Sequence, residues 1–200
     1  ADGDRARDAA GGPRPGASVP PARPLDALRA ASGSATGALS PPPEGVWIGV
    51  AGAPESTVGG GSHRAVARCR ELGIDALEMA WVHTVTISEG GAARIRGAAE
   101  EAGVRLSVHA PYYINLNSAD PGIVEASIRR IAAAARGAGW CGARDVVLHL
   151  AYNHADAPPV VLRRVAEGLV RARDALAGEA SEVRLRPEVM GRASQFGDLD

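Results

Sequence analysis

Lysine is missing from this 200-residue sequence: all 22 basic side chains are arginine, set against 23 acidic ones for a net charge of −1. That balance excludes a protein held to nucleic acid by bulk electrostatics and leaves only a local arginine-lined groove. Cysteine is scarce too. Cys69 and Cys141 are too few for a disulfide framework, and neither belongs to a Cys-x-x-Cys pair, so a reducing, cytoplasmic setting is expected. No apolar run approaches the ~18–20 residues that a membrane-spanning helix needs, and no charged-then-apolar start reads as a signal peptide. Neither a membrane nor an obligate protein partner is expected. Aromatic residues make up only 4%, yet 46% of the chain is hydrophobic, enough to bury a core.

Residues 1–45 have few large apolar side chains and are rich in Ala, Gly, Pro and Ser, as in PRPG, PPARP and SPPPEG. Such a segment cannot bury enough surface to offset its ordering entropy, so it reads as a disordered tail. Its five Arg are matched by five acidic residues, which argues against a basic DNA-binding arm.

From residue 46 strand-like and helix-like stretches alternate. Val46–Ala51 reads as a short buried strand, His63–Leu72 as a helix stopped by Gly73, and Ala76–Val82 as a second strand. Glu89–Ala102 is helical and closed by Gly103, and Val104–Val108 is a third strand. Asp120 and Pro121 open a third helix in N-cap and first-turn positions. Asp145–Leu150 is a fourth strand, Pro158 and Pro159 open a helix to about Ala177, and Val183–Arg186 is a fifth strand. Strands alternating with helices imply parallel pairing. Five units in residues 46–200, about 31 residues each, match the spacing of a (β/α)8 TIM barrel of ~250 residues. A doubly wound sheet should show G-x-G-x-x-G after its first strand. GAPESTVGGGS does not carry it, so the expected fold is a TIM-barrel type of which about the first five units are present.

Ligand-type residues fall at strand ends: His109 after the third, His149 after the fourth and Glu188 after the fifth, at steps of 40 and 39 residues. Equivalent heights on adjacent strands place them at the C-terminal rim, where barrel active sites lie. Each His alone reads as a buried, hydrogen-bonded core residue. Two imidazoles and a carboxylate in register read as a site for zinc or a similar divalent ion. Glu78, inside the second strand, is expected to face the lumen and to pair with an Arg. Arg192 and Gln195 follow Glu188 in a polar turn suited to phosphate contact, the alternative being a solvated loop.

Three blocks, HAPYYINL (109–116), the histidine closing the next strand, and PEVMGRASQFG (187–197), resemble motifs of the endonuclease IV family of zinc-dependent apurinic/apyrimidinic endonucleases. The resemblance covers residues 46–200. It implies a site of up to three zinc ions in the complete family barrel, His109 and His149 binding the first. Glu188 would then be the catalytic carboxylate bridging two metals, and Tyr112 the aromatic that enters DNA near the abasic site. The sequence departs from the family pattern at Leu150-Ala151-Tyr152, where a Pro-Gly-rich turn is usual, and at Val189 and Met190, where small polar residues are usual. Both departures spare the ligands and remove polar groups from loops expected to meet DNA. The remaining family ligands lie on later strands. The 200-residue chain is therefore expected to hold at most one zinc and not to nick abasic DNA by itself.

The implied activity is a metal-dependent phosphodiesterase cutting DNA at abasic sites. The alternatives are a xylose-isomerase-like sugar or hydroxy-acid isomerase or epimerase, and an inactive truncated homologue. Limited proteolysis should degrade the chain rapidly up to about Val46 and leave the rest resistant. Slow amide exchange throughout residues 1–45 would contradict this reading of the tail.

Overall fold

A computed structural model describes residues 47–176 and 178–197. The segment 1–45 assigned above to a tail, and Val46, lie outside the described residues. Five strands alternate with four helices: β1 (Gly49–Ala51), α1 (Ser62–Glu71), β2 (Ala76–Ala80), α2 (Glu89–Ala102), β3 (Arg105–His109), α3 (Pro121–Cys141), β4 (Asp145–Leu148), α4 (Pro158–Asp174) and β5 (Arg184–Pro187). The strands pair in parallel in the order β1-β2-β3-β4-β5. This is the barrel-type succession expected from the alternating pattern.

The element boundaries follow from local chemistry. The Ser88 hydroxyl accepts the Gly91 N–H to start α2, and the Asp120 carboxylate accepts the Gly122 N–H at 2.7 Å to start α3, with Pro121 behind it. Gly103 and Gly142 end these helices in the left-handed region, at φ 65° and 79°, where a side chain would be strained. α3 packs on β3 and β4. Its buried stripe, including Ile128, Ile131, Ala134 and Ala138, meets Val108, Val146 and Leu148 from the outer face of the sheet. Core positions on β2–β4 alternate with those facing the lumen, as period-two geometry requires.

The first strand differs from expectation. It spans only Gly49–Ala51, and Ile48 is 69% exposed instead of buried. β1 is an edge strand that pairs only with β2, so its lumen side and outer edge lack cover among the described residues. Trp47 lies under the Arg105 guanidinium, 3.5 Å from the ring centroid, in a cation–π contact instead of the core. Glu78 shares the lumen face with its register partners Ala51 and Ser107. The Arg partner expected for it is absent among the described residues. Arginine pairs instead with Asp145, two strands further on: Arg184 binds that carboxylate through two nitrogens at 3.0 and 2.8 Å, and Arg186 adds a third contact at 2.7 Å.

These contacts fasten the edge strand β5 to β4. Burial pushes the Asp145 carboxyl up, but the hydrogen bonds and charges of Arg184 and Arg186 outweigh it and hold the group below its ordinary value. Because the folded-state value lies below the unfolded one, the stabilisation is full at neutral pH and disappears as pH falls through the folded value. Asp145→Asn should cost about 1 kcal/mol at pH 7, a figure kept small because the guanidiniums are half exposed. In denaturant melts the gap between variant and parent should close below about pH 4. An equal penalty at pH 7 and pH 3 would rule out the ion pairs as its source.

Candidate metal centre

Parallel pairing carries the ends of β3, β4 and β5 to one rim. The Ala110 N–H bonds to the Val147 carbonyl at 2.8 Å, and the Glu188 N–H to the Leu148 carbonyl at 3.0 Å, so the ladder continues past the strands into the residues that bear the side chains. His109, His149 and Glu188 therefore project from the lumen face at the C-terminal ends of three neighbouring strands. The Glu188 Oε2 lies 3.1 Å from the Nε2 of His109 and 3.1 Å from the Nε2 of His149. The two imidazoles meet nearly at right angles, 83°, with centroids 5.1 Å apart.

The donor set fits a divalent cation. His109 Nδ1 lies 2.8 Å from the Ala110 carbonyl oxygen, which can only accept, so Nδ1 carries the proton. In a neutral ring Nε2 is then a bare lone pair facing the carboxylate. Lone pairs from both imidazoles would crowd one carboxylate oxygen unless a proton or a cation lies between them. One ion can serve all three atoms, which lie within 4.8 Å of one another. With bonds of about 2.0–2.1 Å, the donors of a tetrahedral ion sit ~3.3 Å apart, close to the two 3.1 Å edges seen here. A contact from Nδ1 to a backbone carbonyl is of the kind that would fix a metal-binding imidazole in tautomer and orientation.

Tyr112 leans over the pair. Its ring lies 5.1 Å from His109, edge-on, and 5.3 Å from His149, and it is 48% exposed. The other two tyrosines of the sequence are also exposed in the rim loops, Tyr113 against His83 and Tyr152 against His154. Arg192 is exposed and Gln195 half-buried. The turn that holds them runs back to the loop after β4, where Gln195 pairs with Tyr152 in an antiparallel bridge. No hydrogen bond or ion pair among the described residues joins the Arg192 or Gln195 side chain to the triad.

Sequence reasoning missed Asn117, Asp156 and Arg164. The Asn117 amide, buried beneath the loops, donates to the Tyr152 carbonyl (3.0 Å) and the Asp156 carboxylate (3.1 Å). Its oxygen accepts from Arg164 at 2.8 Å. The available signal was the double asparagine of INLN followed by a third Asn one unit later.

Residues 66–200 match the xylose isomerase-like TIM barrel family. The chain belongs to that family. An uncharacterised protein of Methanocaldococcus jannaschii is 36% identical over 153 residues, 76% of this chain and 54% of the relative. Endonuclease IV from Thermus thermophilus superposes with a TM-score of 0.55 at 24% identity, over 75% of this chain and 54% of that structure. D-psicose 3-epimerase from Clostridium cellulolyticum gives 0.60 at 16% identity, over 76% and 55%. The chain thus spans about half the length of the relatives it matches. These two structural neighbours carry different names on one fold, and the likeness shows the fold alone.

Zinc titration of the metal-free protein should saturate at one equivalent. His109→Ala and His149→Ala should each weaken binding at least ~100-fold, beyond the loss typical of an outer-sphere partner, with the far-UV spectrum unchanged. Unaltered affinity in both variants would show that the three residues do not form a metal centre.

Proposed function

We propose that His109, His149 and Glu188 hold a divalent ion, zinc by choice of donors, and that the protein is a phosphodiesterase acting on DNA at abasic sites. The observation that carries this reading is the convergence of two imidazole nitrogens on one carboxylate oxygen at the rim, 3.1 Å from each. Similarity to endonuclease IV over the same strands supports it. The chemistry such an ion supplies when bound is Lewis-acid polarisation of a phosphoryl oxygen and a nucleophile available near neutral pH.

The chain's own residues account for the rest. Glu188, with its side chain 44% exposed, keeps one oxygen directed at the histidines and has room for a second ion. Tyr112 presents an exposed ring beside the triad, and a ring can take the stacking place of a missing base. An abasic site has no base edge to read, so recognition falls to backbone and shape. Arg192, exposed in the turn after Glu188, would supply a guanidinium for a flanking phosphate, with Gln195 beside it. No described helix is long and apolar enough to cross a membrane. The two cysteines are buried free thiols, and burial pushes Cys141 up to about 11 although Arg96 opposes it. Inert thiols suit a reducing cytoplasm.

A second reading, a sugar or hydroxy-acid epimerase or isomerase, is favoured by Val189. This residue, 55% exposed in the turn beside Glu188, is apolar and offers no contact to phosphate.

The test uses the natural protein carrying this sequence and a duplex with one abasic site. Nicking should occur, stop with chelator, return with zinc and fall at least ~100-fold in His109→Ala, since ligand loss removes a contribution of several kcal/mol to the barrier. Chelator-sensitive interconversion of ketohexoses without nicking would instead establish the second reading.

A further inference from the structure

The sequence contains three asparagines, Asn115, Asn117 and Asn153, and all three lie in the loops that follow β3 and β4. Asn115 and Asn117 join those two loops: the Asn115 side-chain oxygen accepts the Tyr152 N–H at 3.3 Å, and the Asn117 amide donates back to the Tyr152 carbonyl at 3.0 Å. Asn153 makes the next connection, from the loop after β4 to the turn after β5. Its Nδ2 donates to the carbonyls of Ala193 (3.0 Å) and Gln195 (3.1 Å), and its backbone N–H to Ser194 (2.9 Å). The Phe196 N–H bonds to the Ala151 carbonyl, and the Met190 N–H to the Gly197 carbonyl, so the turn from Glu188 to Gly197 closes on itself while its return limb is fixed to β4.

Glu188 needs that support. Among the described residues β5 pairs with β4 alone. The Glu188 backbone itself has a single ladder bond, to Leu148. We infer that Asn153 is a positioning residue: by clamping the turn through its two amide hydrogens it sets the approach of the Glu188 carboxylate to His149 and thereby the affinity of the centre for a divalent ion. This rests on the metal reading proposed above. The chemistry of the clamp is one-sided. Both partners are carbonyl oxygens, which only accept, so an amide nitrogen serves and a carboxylate oxygen would be repelled.

That asymmetry gives a test with opposed signs. If residue 153 acted through charge alone, Asn153→Asp would bring an anion near the centre and tighten cation binding. If it acts as a donor clamp, Asn153→Asp should weaken binding about 10–100-fold, and Asn153→Ala should weaken it less. Each variant would be titrated with Co2+, whose visible spectrum reports coordination geometry, beside a thermal melt and amide exchange of the metal-free protein. The expected result is altered Co2+ bands, with faster exchange at Met190 and Phe196 while Val108 and Ala110 keep their rates. A merely structural role would move the melt and leave the Co2+ bands of the folded variant alone.

Unchanged exchange at Met190 and Phe196 in both variants would overturn the clamp whatever the metal does. So would Co2+ binding that tightens in Asn153→Asp. Failure of the unaltered protein to bind Co2+ or Zn2+ would overturn the metal reading and the affinity role with it. The exchange comparison would still decide whether Asn153 holds the turn.

Discussion

In the parallel ladder through β3, β4 and β5, residues that follow equivalent strand positions arrive at one height, and their side chains leave the sheet on one face. His109 is in register with Val147, and Leu148 with Pro187. His149 and Glu188 therefore emerge side by side, one step above. The Ala110 and Glu188 amides extend this pairing beyond the strands, so the rim inherits the sheet's order. Shifting β5 by a single residue would turn Glu188 outward and bring Pro187 or Val189 to face the histidines. The Asp145 contacts to Arg184 and Arg186 lie on the same lumen face below, and they oppose that slip.

Much of this was legible in the sequence because it depends on short-range chemistry. Gly103 ends a helix because it reaches φ 65° without strain, and Asp120-Pro121 begins one because both offer what a first turn requires. The 40- and 39-residue steps between His109, His149 and Glu188 expressed the repeat length of the β/α unit, but the expected equal heights hold only for His149 and Glu188: His109 pairs with Val147 and lies two residues below His149, one position lower on the lumen face. β1 was harder to read. VWIGVA has the composition of a buried strand, but burial is decided by what lies across the lumen, and that information is not local. The expected Glu78 partner failed for the same reason: the nearest carboxylate to two arginines is Asp145, a matter of strand register and not of residue type.

The loops carried the least readable information. Leu150-Ala151-Tyr152 after His149 departs from the family's Pro-Gly-rich turn and suggested a loop stripped of polar groups. In the fold that segment is polar through its backbone, since the Tyr152 carbonyl, the Tyr152 N–H and the Ala151 carbonyl all take part in hydrogen bonds between loops. Composition counts side chains and misses such groups. Close packing underneath is equally hidden. Gly168 on α4 meets Leu116 so closely that an added Cβ would come within 2.8 Å of its side chain, which lets the helix support the loop that carries Tyr112 and Asn115.

The three residues of the triad are held with unequal firmness. His109 is buried on an inner strand, and its second nitrogen is committed to Ala110. The His149 side chain, after β4, is 21% exposed, and that of Glu188, after β5, is 44% exposed. Restraint thus declines across the sheet in the order of the strands, and the carboxylate, whose reach decides how the two imidazoles are bridged, begins with the least. The additional restraint comes from hydrogen bonds between loops, which fix side chains at little cost in buried area. In a chain with only 4% aromatic residues, such polar links between loops help to hold the rim.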